Sequence, residues 1–154
     1  MKGAAVLYQA AADAGHTASL ASLAWLRERA GSLDEAAQLY QAAIDTGHMG
    51  AIGYLARLRE QAGDRKEAER LCWIAVEAGH THALQPLWAV WDQEDGPQRA
   101  EQFAMRATEA GHPEVAGRLA YLREGTGDRE ASIRLYQAAA GAGETRSLAA
   151  LVQL

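Results

Sequence analysis

Four histidines recur at one fixed spacing and are the strongest candidates for chemistry: His16, His48, His80 and His112, each 32 positions after the last (48 − 16). An imidazole can bind a transition metal or accept a proton as a general base. A zinc site, however, needs several ligands within about 2.0–2.3 Å of one ion. Histidines in successive copies of a stacked helical repeat would lie about 8–10 Å apart, so they cannot share that ion. We therefore predict no metal, no cofactor and no catalytic residue, with a metal or enzyme role as the lesser alternative.

The histidines belong to a longer repeated phrase. Each follows a glycine, and a fifth glycine at the same spacing precedes Glu144: Gly15, Gly47, Gly79, Gly111 and Gly143. A period of roughly 20–50 residues is typical of solenoids, in which no unit buries its apolar face alone. We predict one repeat domain over residues 1–154. Its parts are a half unit 1–14, full units 15–46, 47–78, 79–110 and 111–142, and a half unit 143–154.

The second copy, residues 47–78, shows how one unit is built. Large apolar residues at helical spacing predict a first helix over residues 49–62, namely Ile52, Leu55 and Leu58. Gly63 can take a positive φ at the end of this helix. Asp64 is the predicted N-cap of the second helix, with Glu67 completing a capping box. Each unit is therefore predicted to be two antiparallel helices joined by tight turns.

We expect each recurring histidine to occupy the N-cap of a first helix. His112 precedes Pro113, and proline favours the first helical position. A neutral ring nitrogen there would accept a backbone N–H. Protonation would remove that acceptor and place positive charge at the positive end of a helix dipole, so this hypothesis predicts destabilisation by acid. Ser32, with Glu35 three places on, is predicted to cap a second helix as Asp64 does.

The third copy departs from the pattern. Pro86 lies inside its predicted first helix, and Asp95-Gly96-Pro97 stands where other copies have a Gly-Asp turn. Proline at that place should kink the helix or delay its start. We expect a local change of superhelical curvature near Pro86.

These features resemble the tetratricopeptide (TPR) repeat superfamily, especially its Sel-like branch. The resemblance rests on the phrase Ala-Ala-x-x-Gly-His followed by a Leu-rich helix, as in residues 11–16 and onward. Ala36, Tyr40 and Ala43 match the pattern of a TPR second helix, and Leu23-Ala24 matches that of a first helix. The resemblance covers nearly the whole chain, although the repeat of 32 residues is shorter than the standard TPR repeat and the standard Sel-like repeat. It implies an all-α, right-handed α-solenoid of stacked antiparallel helix pairs that acts as a scaffold binding other proteins.

Charge and composition exclude other classes of partner. The formal net charge is −5, which argues against nucleic acid because phosphate binding relies on clustered Lys and Arg. No apolar run approaches the roughly 20 residues that cross a membrane. Cys72 is alone, which fits a reducing compartment. We therefore expect a cytoplasmic protein whose partner is a protein or peptide, not nucleic acid or membrane.

The predicted partner site is the outer side of the first helices, which lines the concave groove in TPR-like stacks. Some of its residues differ between copies at the same position of the repeat, as is typical of a binding surface, and others form an acidic column, which is one position that is Glu or Asp in every copy. The predicted residues are Trp25, Glu28, Arg29, Arg57, Glu60, Gln61, Gln85, Asp92, Tyr121 and Glu124. Unselected surface variation and a solvated charge ladder are the alternatives. Trp73 and Met105 replace glutamines on the second helices and could form a second contact surface.

These observations predict a non-enzymatic interaction scaffold that binds a peptide or protein segment in its groove. The alternative is a sensor or oligomerisation arm of a larger signalling protein, which associates through its terminal half repeats. Leu148, Leu151 and Leu154 would then form part of the contact.

Overall fold

The computed structural model describes residues 2–94 and 96–153. Asp95 of the predicted irregular turn and Leu154 of the predicted terminal contact lie outside the described residues. All regular secondary structure in the described part is helical. The α-helices are α1 (Lys2–Asp13), α2 (Thr17–Arg29), α3 (Leu33–Asp45), α4 (Ile52–Gln61), α5 (Arg65–Glu77), α6 (Gln85–Glu94), α7 (Pro97–Glu109), α8 (Pro113–Gly125), α9 (Arg129–Gly141) and α10 (Thr145–Gln153). The predicted all-α class is confirmed.

The chain divides into two compact units, Met1–Leu87 and Trp88–Leu154. In the first unit, each of the helices α1 to α4 packs against the next one along the chain. Short 3₁₀ helices, Met49–Ala51 and Thr81–Leu84, precede α4 and α6. The core of this unit contains the repeated leucines Leu23 and Leu55. Alanines at the crossings are fully buried and let helix backbones approach closely: Ala24, Ala36, Ala43, Ala68 and Ala75.

In the second unit, α7 to α10 likewise pack in succession. The core contains one large aromatic or aliphatic side chain from each of α6, α7, α8 and α9: Trp91, Phe103, Leu119 and Leu135. Trp91 and Phe103 join α6 to α7, with ring centroids 5.8 Å apart. Both units are therefore built on the sequential packing of antiparallel helices.

The predicted glycine turn after a first helix is confirmed at Gly63, which has a φ of 84°. Its N–H bonds to the Glu60 carbonyl at 2.9 Å, and the Asp64 N–H bonds to the Arg59 carbonyl at 2.8 Å. These bonds close the end of α4 as a Schellman motif does. The backbone N–H of each repeated histidine closes the preceding helix in the same way, for example His48 to the Ala43 carbonyl at 2.8 Å.

The predicted histidine caps are wrong in their chemistry. His16, His48, His80 and His112 do stand at N-cap positions, but none makes a side-chain cap hydrogen bond. His112 instead places Nδ1 3.3 Å from the Glu114 carboxylate. The hypothesis of acid destabilisation through these rings therefore loses its basis.

Aspartates at comparable N-cap positions do make the bond. Asp64 has a backbone conformation close to that of His16, and its carboxylate accepts the Glu67 N–H at 3.2 Å. Asp128 does the same for the Ala131 N–H at 3.1 Å. The capping box is only half formed, because the Glu67 carboxylate binds Arg70 instead.

The predicted cap at Ser32 is also wrong, since its side chain makes no cap hydrogen bond. Glu144, which replaces histidine in the fifth turn, does accept the Ser147 N–H, at 2.7 Å. Side-chain caps in this chain are thus supplied by carboxylates.

The first helix of the third copy starts late, as predicted. This helix, α6, begins only at Gln85, with Pro86 in its first turn. Gly53 of α4 makes this arrangement possible. A Cβ added at Gly53 would lie 1.5 Å from the Ala83 carbonyl oxygen and 3.2 Å from Cδ of Pro86. The change of curvature stays a prediction.

None of the described helices combines the length and the apolar composition that crossing a lipid bilayer requires.

Candidate functional site

The acidic position of α2 ties three helices of the first unit together. The Glu28 carboxylate accepts a hydrogen bond from the Tyr40 hydroxyl of α3 at 3.2 Å and from the Arg57 guanidinium of α4 at 2.5 Å. Arg57 also reaches Oε1 of Gln61 at 3.4 Å. Glu28, Arg57 and Gln61 were all predicted for the groove, and the structure brings them together.

Tyr40 is the buried member of this cluster. Burial, reinforced by the neighbouring Glu28 carboxylate, raises the pKa of Tyr40 well above its ordinary range. The phenol therefore stays protonated and donates to Glu28. Its ring stacks on Tyr54 of α4, with centroids 5.5 Å apart and planes 12° from parallel.

Beside this cluster lies a surface cleft of about 380 Å³. Aromatic rings from four successive helices surround small residues of α2, and the full lining is Tyr8, Ala18, Ala21, Ser22, Trp25, Tyr40, His48 and Tyr54. Three of the rings reach solvent: Tyr8 is 38% exposed, Trp25 46% and Tyr54 39%. The predicted anchor Trp25 is thus one wall of an aromatic cleft.

Arg29, also predicted for the groove, lies at the edge of this cleft. Its guanidinium carbon is 4.8 Å from the centre of the Trp25 ring, which is the geometry of a cation–π contact. The guanidinium therefore covers part of the indole.

The exposed rings of the cleft offer contact surface to a ligand. Partly exposed tyrosine and tryptophan rings offer large apolar faces with a polar tip, and such residues dominate the binding energy of protein interfaces. Across the described residues, no group of three or more His, Cys, Asp or Glu side chains could hold a metal ion.

The other predicted acidic position of the first unit is placed differently. Glu60 is buried, and its carboxylate lies 3.4 Å from Nε of Arg65. Its charge is therefore not accessible to a ligand, although the prediction placed Glu60 in the groove. Trp73 is half-buried on α5, and Gln85 is exposed at the start of α6.

In the second unit, Asp92 and Arg123 form a bidentate ion pair with both distances at 2.6 Å. The hydrogen bonds to Asp92 raise the pKa of Arg123. Arg123 is buried and also donates to the Pro97 carbonyl at 3.3 Å. Asp92 therefore serves as the counter-ion of a buried cation in its own unit.

Glu124 repeats the arrangement of Glu28, since it accepts the Tyr136 hydroxyl at 3.1 Å. Burial, together with this hydrogen bond, raises the pKa of Tyr136 to about 12. Tyr121, the counterpart of Trp25, is 63% exposed. Met105 is exposed on α7.

Sequence reasoning missed Tyr8, Tyr40, Tyr54 and His48 as parts of the cleft. A signal was present for one of them. Tyr40 follows Glu28 by 12 residues, and Tyr136 follows Glu124 by the same distance. A recurring Glu–Tyr pair at a separation that joins the two helices of one hairpin indicates a buried hydrogen bond rather than a solvated charge.

A second surface groove of about 640 Å³ lies between α1 and the end of α2. Its lining is mostly aliphatic and small: Ala5, Val6, Gln9, Ala10, Asp13, Leu26, Arg27 and Ala30. It contains none of the aromatic rings that distinguish the Trp25 cleft.

No protein-family model matches the chain, and neither the curated proteins nor the solved structures gave a significant match. The case for a function therefore rests on the geometry above.

Proposed function

We propose that this protein is a non-enzymatic interaction module that holds a segment of another protein in the Trp25 cleft. One observation carries the proposal: three partly exposed aromatic side chains from α1, α2 and α4 converge on one cleft in the first unit. Scattered exposed apolar residues are ordinary on a protein surface, whereas a cluster of Trp and Tyr around a concavity marks a contact site.

The proposal includes an architecture, a right-handed α-solenoid of the TPR/Sel-like kind. The 32-residue spacing of the turn glycines (47 − 15) and the sequential packing of antiparallel helices support it. In such stacks the outer side of the first helices lines the concave surface, and Trp25 lies on that side of α2. A cytoplasmic setting fits the single buried thiol of Cys72.

A selection experiment tests the proposed function. A displayed library of random peptides is selected on the immobilised chain, and the enriched peptides are titrated against wild type and the Trp25→Ala variant. We expect affinities in the micromolar range for wild type and a loss of at least tenfold in the variant, as for a hot-spot residue.

Leu33→Ala is the control, because it truncates an exposed apolar side chain of the first unit that does not line the cleft. Peptides that bind Leu33→Ala and wild type equally, and Trp25→Ala weakly, support the cleft. Enriched peptides that bind all three proteins alike would refute it.

A second candidate function is association through the terminal helices. Val6 and Leu7 of α1 are 68% and 72% exposed, and Leu148 and Val152 of α10 are 53% and 88% exposed. Exposed aliphatic side chains at this density favour a contact surface. If this function holds, light scattering shows an oligomer that Val6→Glu or Val152→Glu reduces to a monomer, and Trp25→Ala leaves it intact.

A further inference from the structure

Val152 of α10 is exposed at a position that other first helices bury. The repeat spacing of 32 residues (152 − 120) aligns it with Ala24 of α2, Ala56 of α4 and Ala120 of α8. These alanines are at most 1% exposed, whereas Val152 is 88% exposed. Each of α2, α4 and α8 packs against two second helices, the one before it and the one after it, and α10 packs against α9, the one before it. The missing cover of Val152 is therefore a second helix on the other side of α10.

Helix α10 presents this face as a formed helix. The Glu144 carboxylate accepts the Ser147 N–H at 2.7 Å and so caps the first turn. Leu148, one turn before Val152, is 53% exposed, although its counterpart Ala116 in α8 is fully buried. Two aliphatic side chains one turn apart make an apolar stripe of the kind that a neighbouring helix covers.

Helix α1 presents the complementary face at Leu7. This residue aligns with Leu39, Leu71 and Leu135 of the second helices α3, α5 and α9. Leu71 and Leu135 are at most 3% exposed, and Leu39 is half-buried. Leu7 is 72% exposed. The helices α3, α5 and α9 each pack against the first helix before them, whereas α1 packs against α2, the first helix after it. The missing cover of Leu7 is therefore a first helix.

The composition of both helices is that of covered helices. Helix α1 carries two charged residues among its 12, Lys2 and Asp13, and α10 carries one among its nine, Arg146. Helix α5 carries six among its 13. Solenoids ordinarily end in units with a polar outer face, which α1 and α10 do not supply. The charges of α1 are balanced, so no like-charge repulsion opposes its contact with α10.

We propose that α10 of one copy of this protein pairs with α1 of a second copy as the two helices of one hairpin. Each copy then supplies the helix that the other lacks. All the extensive helix contacts within the two units join a first helix to a second helix, which favours this pairing over α1 with α1 or α10 with α10. The contact is heterologous, so each copy has one face of each kind. This inference rests on the second candidate function, association through the end helices, and names its partner and its pairing.

Two complementary variants test the pairing. Leu7→Glu blocks the α1 face and leaves the α10 face intact, and Val152→Glu does the reverse. Both side chains are exposed, so we expect both variants to fold, which circular dichroism verifies. Masses are measured by sedimentation equilibrium at concentrations up to about 1 mM, because a contact of one helix pair is smaller than a standard interface.

We expect the average mass of wild type to rise with concentration and each variant alone to keep the monomer mass of 16.5 kDa. An equimolar mixture of the two variants should reach twice that mass and no more, because it contains one intact pair of faces. Leu33→Glu is the matched control, since Leu33 is 51% exposed and is on neither face. It should associate as wild type does.

A second measurement uses wild type alone and does not depend on a variant being folded. Hydrogen–deuterium exchange is compared between a dilute and a concentrated sample. Backbone amides of both α1 and α10 should exchange more slowly in the concentrated sample, and those of α8 should be unchanged. Slower exchange in α1 alone, or in α10 alone, would overturn the pairing.

Failure of this inference and failure of the candidate function can be told apart. If Leu7→Glu or Val152→Glu alone forms dimers, the contact joins like helices, so the α10–α1 pairing falls and association stands. If wild type stays a monomer at every concentration, both fall. The Trp25 cleft is tested separately by the peptide selection.

Discussion

The hydroxyl of Tyr40 donates a hydrogen bond to the carboxylate of Glu28, 3.2 Å away, and so joins the two helices of the α2–α3 hairpin. Tyr40 is 1% exposed, so its hydroxyl cannot exchange this bond for one to water without opening the structure. The acidic position on the first helix is therefore part of the hairpin's interior bonding.

Tyr40→Phe should destabilise the first unit, because it leaves one lone pair of the Glu28 carboxylate without its donor. Hydrogen bonds to charged groups contribute about 1.5–3 kcal/mol, and we expect a loss near the lower end since Arg57 remains. Urea unfolding followed by circular dichroism measures it. Tyr54→Phe, which keeps the stacked ring, is the control, and an equal loss in both would contradict the assignment.

The tyrosine–glutamate pairs predict a loss of stability at alkaline pH. The pKa of Tyr136 is raised from 10.0 to about 12, so the unfolded chain releases this proton at lower pH than the folded one. Stability from this group is complete below pH 10 and is lost as the pH rises towards 12. Thermal melts between these values should show Tm falling with pH, and Tyr136→Phe should flatten the slope.

Gly53→Ala should destabilise the first unit strongly. The added methyl would fall 1.5 Å from the Ala83 carbonyl oxygen, a backbone atom that cannot turn aside. Overpacking of this kind costs about 1–3 kcal/mol, and we expect at least the upper value. Gly125→Ala is the matched control, because nothing lies within 4 Å of its added Cβ and it ends a helix. A Gly53→Ala protein as stable as the control would refute the close approach.

His16→Asp should stabilise the protein, because aspartate supplies the cap that the imidazole does not. The backbone at His16 has a φ of −80° and a ψ of 89°, close to the −86° and 67° of Asp64. An Asp N-cap contributes about 0.5–2 kcal/mol, and its charge also favours the helix N-terminus. Chemical denaturation measures the gain, and Asp64→Ala should show a loss of similar size. A destabilised His16→Asp protein would mean that the imidazole has a role that its hydrogen bonds do not show.

Asp92→Asn should be far more damaging than the loss of an exposed ion pair. It leaves Arg123, whose side chain is only 7% exposed, without its bidentate counter-ion. Breaking a buried pair on one side costs about 3–5 kcal/mol, and the partial exposure of Asp92 places our expectation near 3 kcal/mol. Glu130→Gln removes an exposed contact to Arg134 and should change the unfolding free energy by less than about 1 kcal/mol. If Asp92→Asn and Glu130→Gln lowered the unfolding free energy by similar amounts, the greater importance of the buried ion pair would be refuted.

Helical periodicity and glycine spacing were sufficient to predict the helix pairs, because both reflect rules that act within one or two turns. Gly63 ends its helix as expected, and Asp64 caps the next. His16 was misassigned because a residue can occupy the N-cap position without its side chain making the cap hydrogen bond, as Ser32 also does. The sequence pattern predicts which residue occupies the N-cap position, but it does not predict whether the side chain of that residue forms the cap hydrogen bond.

The candidate site was predicted in part for a related reason. Trp25 was identified by its variability between copies and its residue type, which are properties of one column. The cleft, however, is formed where Tyr8, Tyr40 and Tyr54 from other helices meet that column. Which columns face one another depends on the crossing of helices, and a single repeat does not encode it. Glu60, in the same column as Glu28, is buried beside Arg65, so even a uniform column holds unlike environments.

The stacking of Tyr54 on Tyr40 has a thermodynamic consequence. The partly exposed Tyr54 ring of the cleft lies against the buried Tyr40 ring, which is held in turn by its hydrogen bond to Glu28. Side chains that are already immobile lose little conformational entropy when a ligand arrives, so a larger share of the contact energy becomes affinity. A short segment touching only a few rings could thus be held with a strength that a mobile surface of equal area would not reach.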